Sequence, residues 1–172
     1  LTAMTEPLAY LLTWTTYGTR LHGDVRGSVD RRSNAPGTPL LPASPARAAR
    51  TEARMVASRV LLDGDARELV TAAIRDHALK RSWRILALAI RSNHAHVLVD
   101  CRGPCELVEP ERVMQEFKSW ATRGLRSAGL FAQSRRIWTD HGSTRWINNE
   151  AGLVAARDYV QRLQDGREGW AE

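Results

Sequence analysis

His94-Ala95-His96 is the segment of this 172-residue sequence with the clearest capacity for chemistry. The stretch His94–Asp100 reads as a strand, and strand residues at i and i+2 leave the same face. Two imidazoles would then stand side by side and offer two nitrogens to one divalent ion. Two surface histidines on a half-exposed sheet produce the same tripeptide, so spacing alone does not choose. Three tyrosines are the only phenols: Tyr10, Tyr17 and Tyr159. A phenol titrates at about 10 and must be activated before it attacks anything. Tyr10 falls in an apolar strand as a packing aromatic. Tyr17 opens a glycine-rich stretch, where packing or stacking on a base are the options. Tyr159 lies on the last helix, where a half-buried aromatic is the plain alternative to a nucleophile.

A second set of residues suits a polyanion. The chain carries 25 Lys and Arg against 19 Asp and Glu, a net charge of +6, and 23 of the 25 cations are arginine. GC-rich coding also favours arginine, but the net excess is the footprint of a nucleic-acid binder. Arg112, Lys118, Arg123, Arg126, Arg135, Arg136 and Arg145 fall in one stretch with Trp120, Trp138 and Trp146. Cations with interleaved aromatics compose a single-strand groove, in which arginines hold phosphates and rings stack on bases. Core tryptophans beside solvated arginines are the competing reading. Cys101 and Cys105 make no disulfide framework, so a reducing cytoplasm is expected. Their Cys-x3-Cys spacing is a weak basis for a zinc site with His94 and His96. His22 and His77 have no partner that the sequence identifies.

These side chains need a scaffold. With 43% hydrophobic and 26% charged residues the chain reads as globular and of one-domain length, residues 1–172. No apolar run is long enough for a transmembrane helix, and the start lacks the basic n-region of a signal peptide. Leu8–Thr16 is β-branched and aromatic, a first strand. Residues 17–46, rich in Gly and Pro, form a long loop. A short helix is expected over Arg47–Ser58. A second starts at an Asp63 cap and reaches about Arg81, with Ala66, Leu69, Val70, Ala73, Ile74 and Ala78 on one face. Trp83–Arg91 and His94–Asp100 pair as a hairpin around Ser92-Asn93. Pro110 opens a helix to about Arg126. Ile137–Ile147 is a strand interrupted near Gly142, and Asn149 caps a last helix over Glu150–Gln164. The fold class is α+β: a ferredoxin-like or RRM-like β-α-β-β-α-β antiparallel sheet, followed by the tyrosine-bearing helix.

Taken together, several segments resemble one family. They are Leu8–Thr19, Arg91–His96, Glu111–Arg123, Trp138–Trp146 and the terminal Tyr159-Val160. The chain resembles the HUH endonuclease superfamily (His, hydrophobic residue, His), and within it the single-tyrosine transposases of the IS-two-hundred type, which include the REP-associated tyrosine transposases. The resemblance implies a metal-dependent single-stranded DNA endonuclease and strand transferase acting on DNA hairpins. It implies Tyr159 as nucleophile, forming a 5′-phosphotyrosyl link, and His94 and His96 as ligands of Mg²⁺ or Mn²⁺. Imidazole suits Mn²⁺ better than Mg²⁺.

A third ligand in that family is a glutamine one helical turn after the tyrosine. Here that place holds Leu163, which leaves Gln164 first, then Gln161 or His141. The resemblance also implies a homodimer, often with one subunit's tyrosine helix over the other's histidine pair. Because the last helix follows a complete β-α-β-β-α-β unit, it is free to dock on its own sheet or on a partner's. The DNA-contacting residues are expected to be Lys118, Arg123, Arg126, Arg135, Arg136 and Arg145. Two other functions stay open: a non-catalytic DNA-hairpin-binding regulator derived from a transposase, and an RNA-binding RRM-like module.

Overall fold

In the computed structural model, four strands form one antiparallel sheet in the order β2-β3-β1-β4. They are β1 (Ala9–Thr15), β2 (Arg84–Ile90), β3 (His94–Asp100) and β4 (Ser143–Ile147). The structure describes residues 6–19, 21, 41–103 and 107–164, with the backbone alone for 163 and 164. Four helices accompany the sheet: α1 (Pro45–Ala53), α2 (Gly64–Lys80), α3 (Pro110–Ser127) and α4 (Glu150–Gln164). This is the expected ferredoxin-like order, with α1 added to the first connection and α4 appended. Most of the 17–46 loop lies outside the described residues.

Alternation along the strands divides the sheet into two unlike faces. Tyr10, Leu12 and Trp14 of β1, with Ala95, Val97 and Val99 of β3, enter the main core under α2 and α3. Val70 and Ile74 of α2 and Phe117 and Leu125 of α3 meet them there, all fully buried. Burying each such aliphatic side chain is worth about 1.5–3 kcal/mol. The opposite face carries Leu11, Thr13, Thr15, His94, His96 and Leu98 by the same alternation. Here α4 packs, laying Leu153, Ala156 and Val160 on Ala9, Leu98, Ile147 and Ala89. The 153/156/160 spacing is one stripe of a helix.

Local signals explain most of the element ends. Asp63 accepts from Ala66 N–H at 2.9 Å and starts α2 as expected. The first helix differs from expectation: it runs over Pro45–Ala53, not Arg47–Ser58. Ser44 caps it by accepting from Arg47 N–H, and Pro45, read as a loop residue, occupies the first turn, where its missing N–H costs nothing. Asn149 starts α4, its side-chain oxygen accepting from Gly152 N–H at 2.8 Å. No helix among the described residues is long and apolar enough to cross a membrane.

The fourth strand is interrupted where the sequence suggests. Trp138 bridges Thr16, and regular pairing resumes only at Ser143, opposite Thr13. Between them Gly142 comes so close to β1 that a Cβ would lie 2.5 Å from both the Thr13 carbonyl oxygen and Met114 Sδ. The thioether can move, but the strand carbonyl cannot do so without breaking its ladder. Gly142→Ala is therefore expected to cost about 1–3 kcal/mol through overpacking. A thermal melt would show this as a fall of several degrees, and an unchanged melting temperature would contradict the close approach.

Asp100 fastens the other end of β3. Its side chain is 3% exposed and accepts from Arg84 of β2 at 2.6 Å and from Arg102. Burial pushes this carboxyl up, but the hydrogen bonds from Arg102 and Arg84 outweigh it and hold it at about 2 instead of 3.8. A carboxyl depressed in the folded state stabilises fully above its unfolded value and loses that contribution as pH falls through the folded one. About 2 kcal/mol should thus fade between pH 4 and pH 2. Asp100→Asn, compared with the parent by denaturant unfolding across that window, should flatten this part of the pH dependence.

Candidate active site

β3 brings His94 and His96 to the α4 face with ring centroids 4.9 Å apart. His96 is 5% exposed, and His94 is half-buried at the strand's start. Each ring is held by its Nδ1. His96 Nδ1 lies 2.8 Å from Thr13 Oγ1, directly across the β1–β3 ladder. His94 Nδ1 lies 2.5 Å from the side-chain oxygen of Asn93. An amide oxygen only accepts, so the His94 Nδ1 that faces it carries a proton. Burial, with His94 beside it, pushes His96 down to about 4, so this ring is neutral at neutral pH. Neutral imidazole is the form that ligates a cation.

Tyr159 completes the cluster from α4. Its ring meets the His96 ring edge-on, centroids 5.4 Å apart, and the residue is 39% exposed. Val160 anchors the helix on Ala89, the β2 neighbour of His96, so the residue before it hangs over the histidine pair. The contact forms within one chain: α4 docks on its own sheet, and no second copy is needed to bring Tyr159 to His96. The other phenols are elsewhere. Tyr10 lies on the opposite face, fully buried, its hydroxyl without a hydrogen-bond partner and pushed up to about 12 by burial. Tyr17 lies beside the guanidinium groups of Arg135 and Arg136, at 5.8 and 5.4 Å from its ring centroid.

The donor set fits a divalent cation in part. Two imidazoles with anchored Nδ1 atoms are suited to an ion such as Mn²⁺. Among the described residues no third His, Cys, Asp or Glu joins them in a metal-holding group. His141 is exposed in the segment entering β4. Gln161 is exposed two residues past Tyr159, and the Gln164 side chain lies outside the described residues. Zinc with the cysteines fails on geometry, since Cys101 is buried in the main core under α2 and α3. Cys105 and His22 lie outside the described residues. His77 finds a structural role in that core: its Nε2 lies 2.8 Å from a Glu116 oxygen, and its ring stacks on Trp120.

The expected DNA contacts separate into three groups. Lys118 is only 5% exposed, and its ammonium donates to the carbonyls of Thr139, Asp140 and His141 at 2.9, 3.3 and 3.2 Å. It clamps the segment before β4 from the floor of the adjoining cleft. Arg123, Arg126 and Arg136 line a cleft of about 600 Å³ between α3 and that segment, together with Ser119 and Thr122. Arg126 donates to the Arg135 carbonyl, and Arg136 pairs with Asp140. Arg135 donates to the Ser58 carbonyl at the edge of this region. Arg145 stands apart, exposed on β4 and opposite Leu11, which places it on the histidine face. Of the tryptophans, Trp138 is buried and donates to the Lys118 carbonyl, Trp120 sits between Lys80 and Arg123, and Trp146 is 41% exposed.

No protein-family model and no curated protein matches the sequence. Solved structures do match the fold. A REP-associated tyrosine transposase bound to a REP hairpin superposes with a TM-score of 0.55 and 14% identity, over 96% of this chain and 71% of that one. A candidate transposase from Deinococcus radiodurans R1 superposes with a TM-score of 0.51 and 14% identity, over 95% of this chain and 96% of that one. In fold, this chain is thus similar to a REP-associated tyrosine transposase and to a second candidate transposase.

Proposed function

We propose that this chain is a metal-dependent single-stranded DNA endonuclease and strand transferase, a transposase, with Tyr159 as nucleophile. The observation that carries this reading is the contact of an accessible tyrosine with a buried, neutral histidine of a His-x-His pair. The hydroxyl oxygen of Tyr159 attacks phosphorus, the phosphorus–O3′ bond breaks, and a 5′-phosphotyrosine forms. The phenolic proton is lost and the departing 3′ oxygen gains one, so charge and atoms balance. Reversal by a 3′-hydroxyl of another strand rejoins DNA and frees the tyrosine without ATP. His94 and His96 would hold Mg²⁺ or Mn²⁺ through Nε2, with Gln164 as a further ligand. Such an ion, when bound, supplies the positive charge that offsets charge gathering on the phosphate oxygens.

DNA hairpins are the proposed substrate, on the analogy of the neighbour bound to a REP hairpin. Arg123, Arg126 and Arg136 in their cleft, with Arg135 beside it, would hold the phosphate backbone, and Arg145 would meet the strand on the histidine face. A homodimer would pair two such surfaces, but each site is proposed to work within one chain. An RNA-recognition role fits less well: RRM sheets present aromatics on the central strands, and here those positions hold Leu11, Thr13, His94, His96 and Leu98.

The test is covalent capture. End-labelled single-stranded DNA bearing a hairpin, incubated with the protein and Mn²⁺, should yield an adduct that survives denaturing electrophoresis and is prevented by chelator. Hairpin binding with no adduct would instead identify a non-catalytic regulator.

A further inference from the structure

Thr13 occupies a central position on β1, paired directly with His96, and its side chain leaves the sheet on the histidine face. Its Oγ1 lies 2.8 Å from His96 Nδ1. A hydroxyl can donate to an unprotonated Nδ1 or accept from a protonated one. A cation on the imidazole removes that choice, because it takes the lone pair of one nitrogen and leaves the proton on the other. With Nδ1 directed at Thr13, the nitrogen offered to a cation is Nε2, so Nδ1 keeps the proton and Thr13 Oγ1 accepts it. His94 has the same arrangement with a different acceptor, the side-chain oxygen of Asn93. Both rings are thus held alike, each through its Nδ1. The strand supports this placement, since the Thr13 main chain is backed by the close approach of Gly142.

We infer that Thr13 is a positioning residue: by accepting the Nδ1 proton of His96 it commits that ring to ligation through Nε2 and fixes its orientation. This rests on reading the histidine pair as a cation site. Valine at position 13 keeps the shape and the β-branched preference of a strand while deleting the hydroxyl. Serine keeps the hydroxyl.

The experiment combines imidazole ¹⁵N NMR, without metal and with saturating diamagnetic Mg²⁺, with calorimetric titration of Mn²⁺, for the parent, Thr13→Val and Thr13→Ser. With Mg²⁺ bound, the parent should show His96 protonated on Nδ1. Thr13→Val should remove that bias and weaken Mn²⁺ binding by about 10–100-fold, the usual effect of losing a ligand's outer partner. Thr13→Ser should keep the tautomer and most of the affinity. An unaltered backbone amide spectrum separates this from misfolding. A cation-bound parent with His96 protonated on Nε2, or a valine variant with unchanged tautomer and affinity, would overturn the inference. A parent that binds no Mn²⁺, yet whose His96 tautomer changes with valine, would defeat the cation reading and leave the role of Thr13 in setting the ring intact.

Discussion

Tyr159→Phe should bind hairpin DNA within about twofold of the parent and form no covalent adduct, a loss of at least about 1000-fold in cleavage. The substitution deletes one oxygen. It keeps the ring against His96, and because the residue is 39% exposed it should change stability by less than about 0.5 kcal/mol. No other phenol can substitute. Tyr10 is sealed under α3 on the far face, with its hydroxyl at about 12, and exposing it would require opening the main core. Tyr17 is held beside Arg135 and Arg136, away from the histidine face. Denaturing electrophoresis gives the first answer, and peptide mapping of any residual adduct gives the second. An adduct that persists and maps to Tyr17 would place the chemistry elsewhere.

Much of this site was legible from local rules. The period of two in His94-Ala95-His96 places both rings on one face whatever the rest of the chain does, and the rings do lie together. Asp63 and Asn149 mark the starts of their helices, because a side-chain acceptor is needed wherever the first N–H groups lack carbonyl partners. The partner of His96 was not legible. Thr13 and His96 are 83 residues apart, and only the pairing register of β1 with β3 brings them together. Nor does sequence decide which sheet receives α4, since the 153/156/160 stripe specifies an apolar face and not its owner.

Lys118 has a structural role that its charge alone does not suggest. Counted with its charge it belongs to a basic segment, yet it falls among Met114, Phe117, Ala121 and Leu125, the buried stripe of α3. That position was readable, and it argues for an inward side chain whose ammonium needs acceptors. Three backbone carbonyls supply them. Burial pushes this ammonium down to about 8, so its charge is held there by those carbonyls against a desolvation cost. His77 follows the same rule on α2, three residues after Ile74, with Glu116 as the partner that only the fold reveals. In both cases helical phase outranks residue type.

His94→Ala should abolish cleavage as completely as loss of the nucleophile, for a different reason. His94 is half-buried at the strand's start and outside the main core, so its removal leaves the sheet intact, whereas His96→Ala would orphan the Thr13 hydroxyl and open a hole under α4. With one imidazole of the pair gone, Mn²⁺ binding should fall below detection by calorimetry while hairpin binding persists through the arginines of the α3 cleft. The two inactive variants together then test where the site is built. Because Tyr159 lies over the histidines of its own chain, a His94→Ala chain has a good tyrosine above a broken pair, and a Tyr159→Phe chain the reverse. Mixing them should restore no cleavage at any ratio. Recovery approaching about a quarter of the parent rate would mean that α4 exchanges between copies in solution, so that the tyrosine of one chain serves the histidines of another, as domain swapping allows. The absence of recovery, with each variant separately shown to bind DNA, would locate nucleophile and cation site in the same chain.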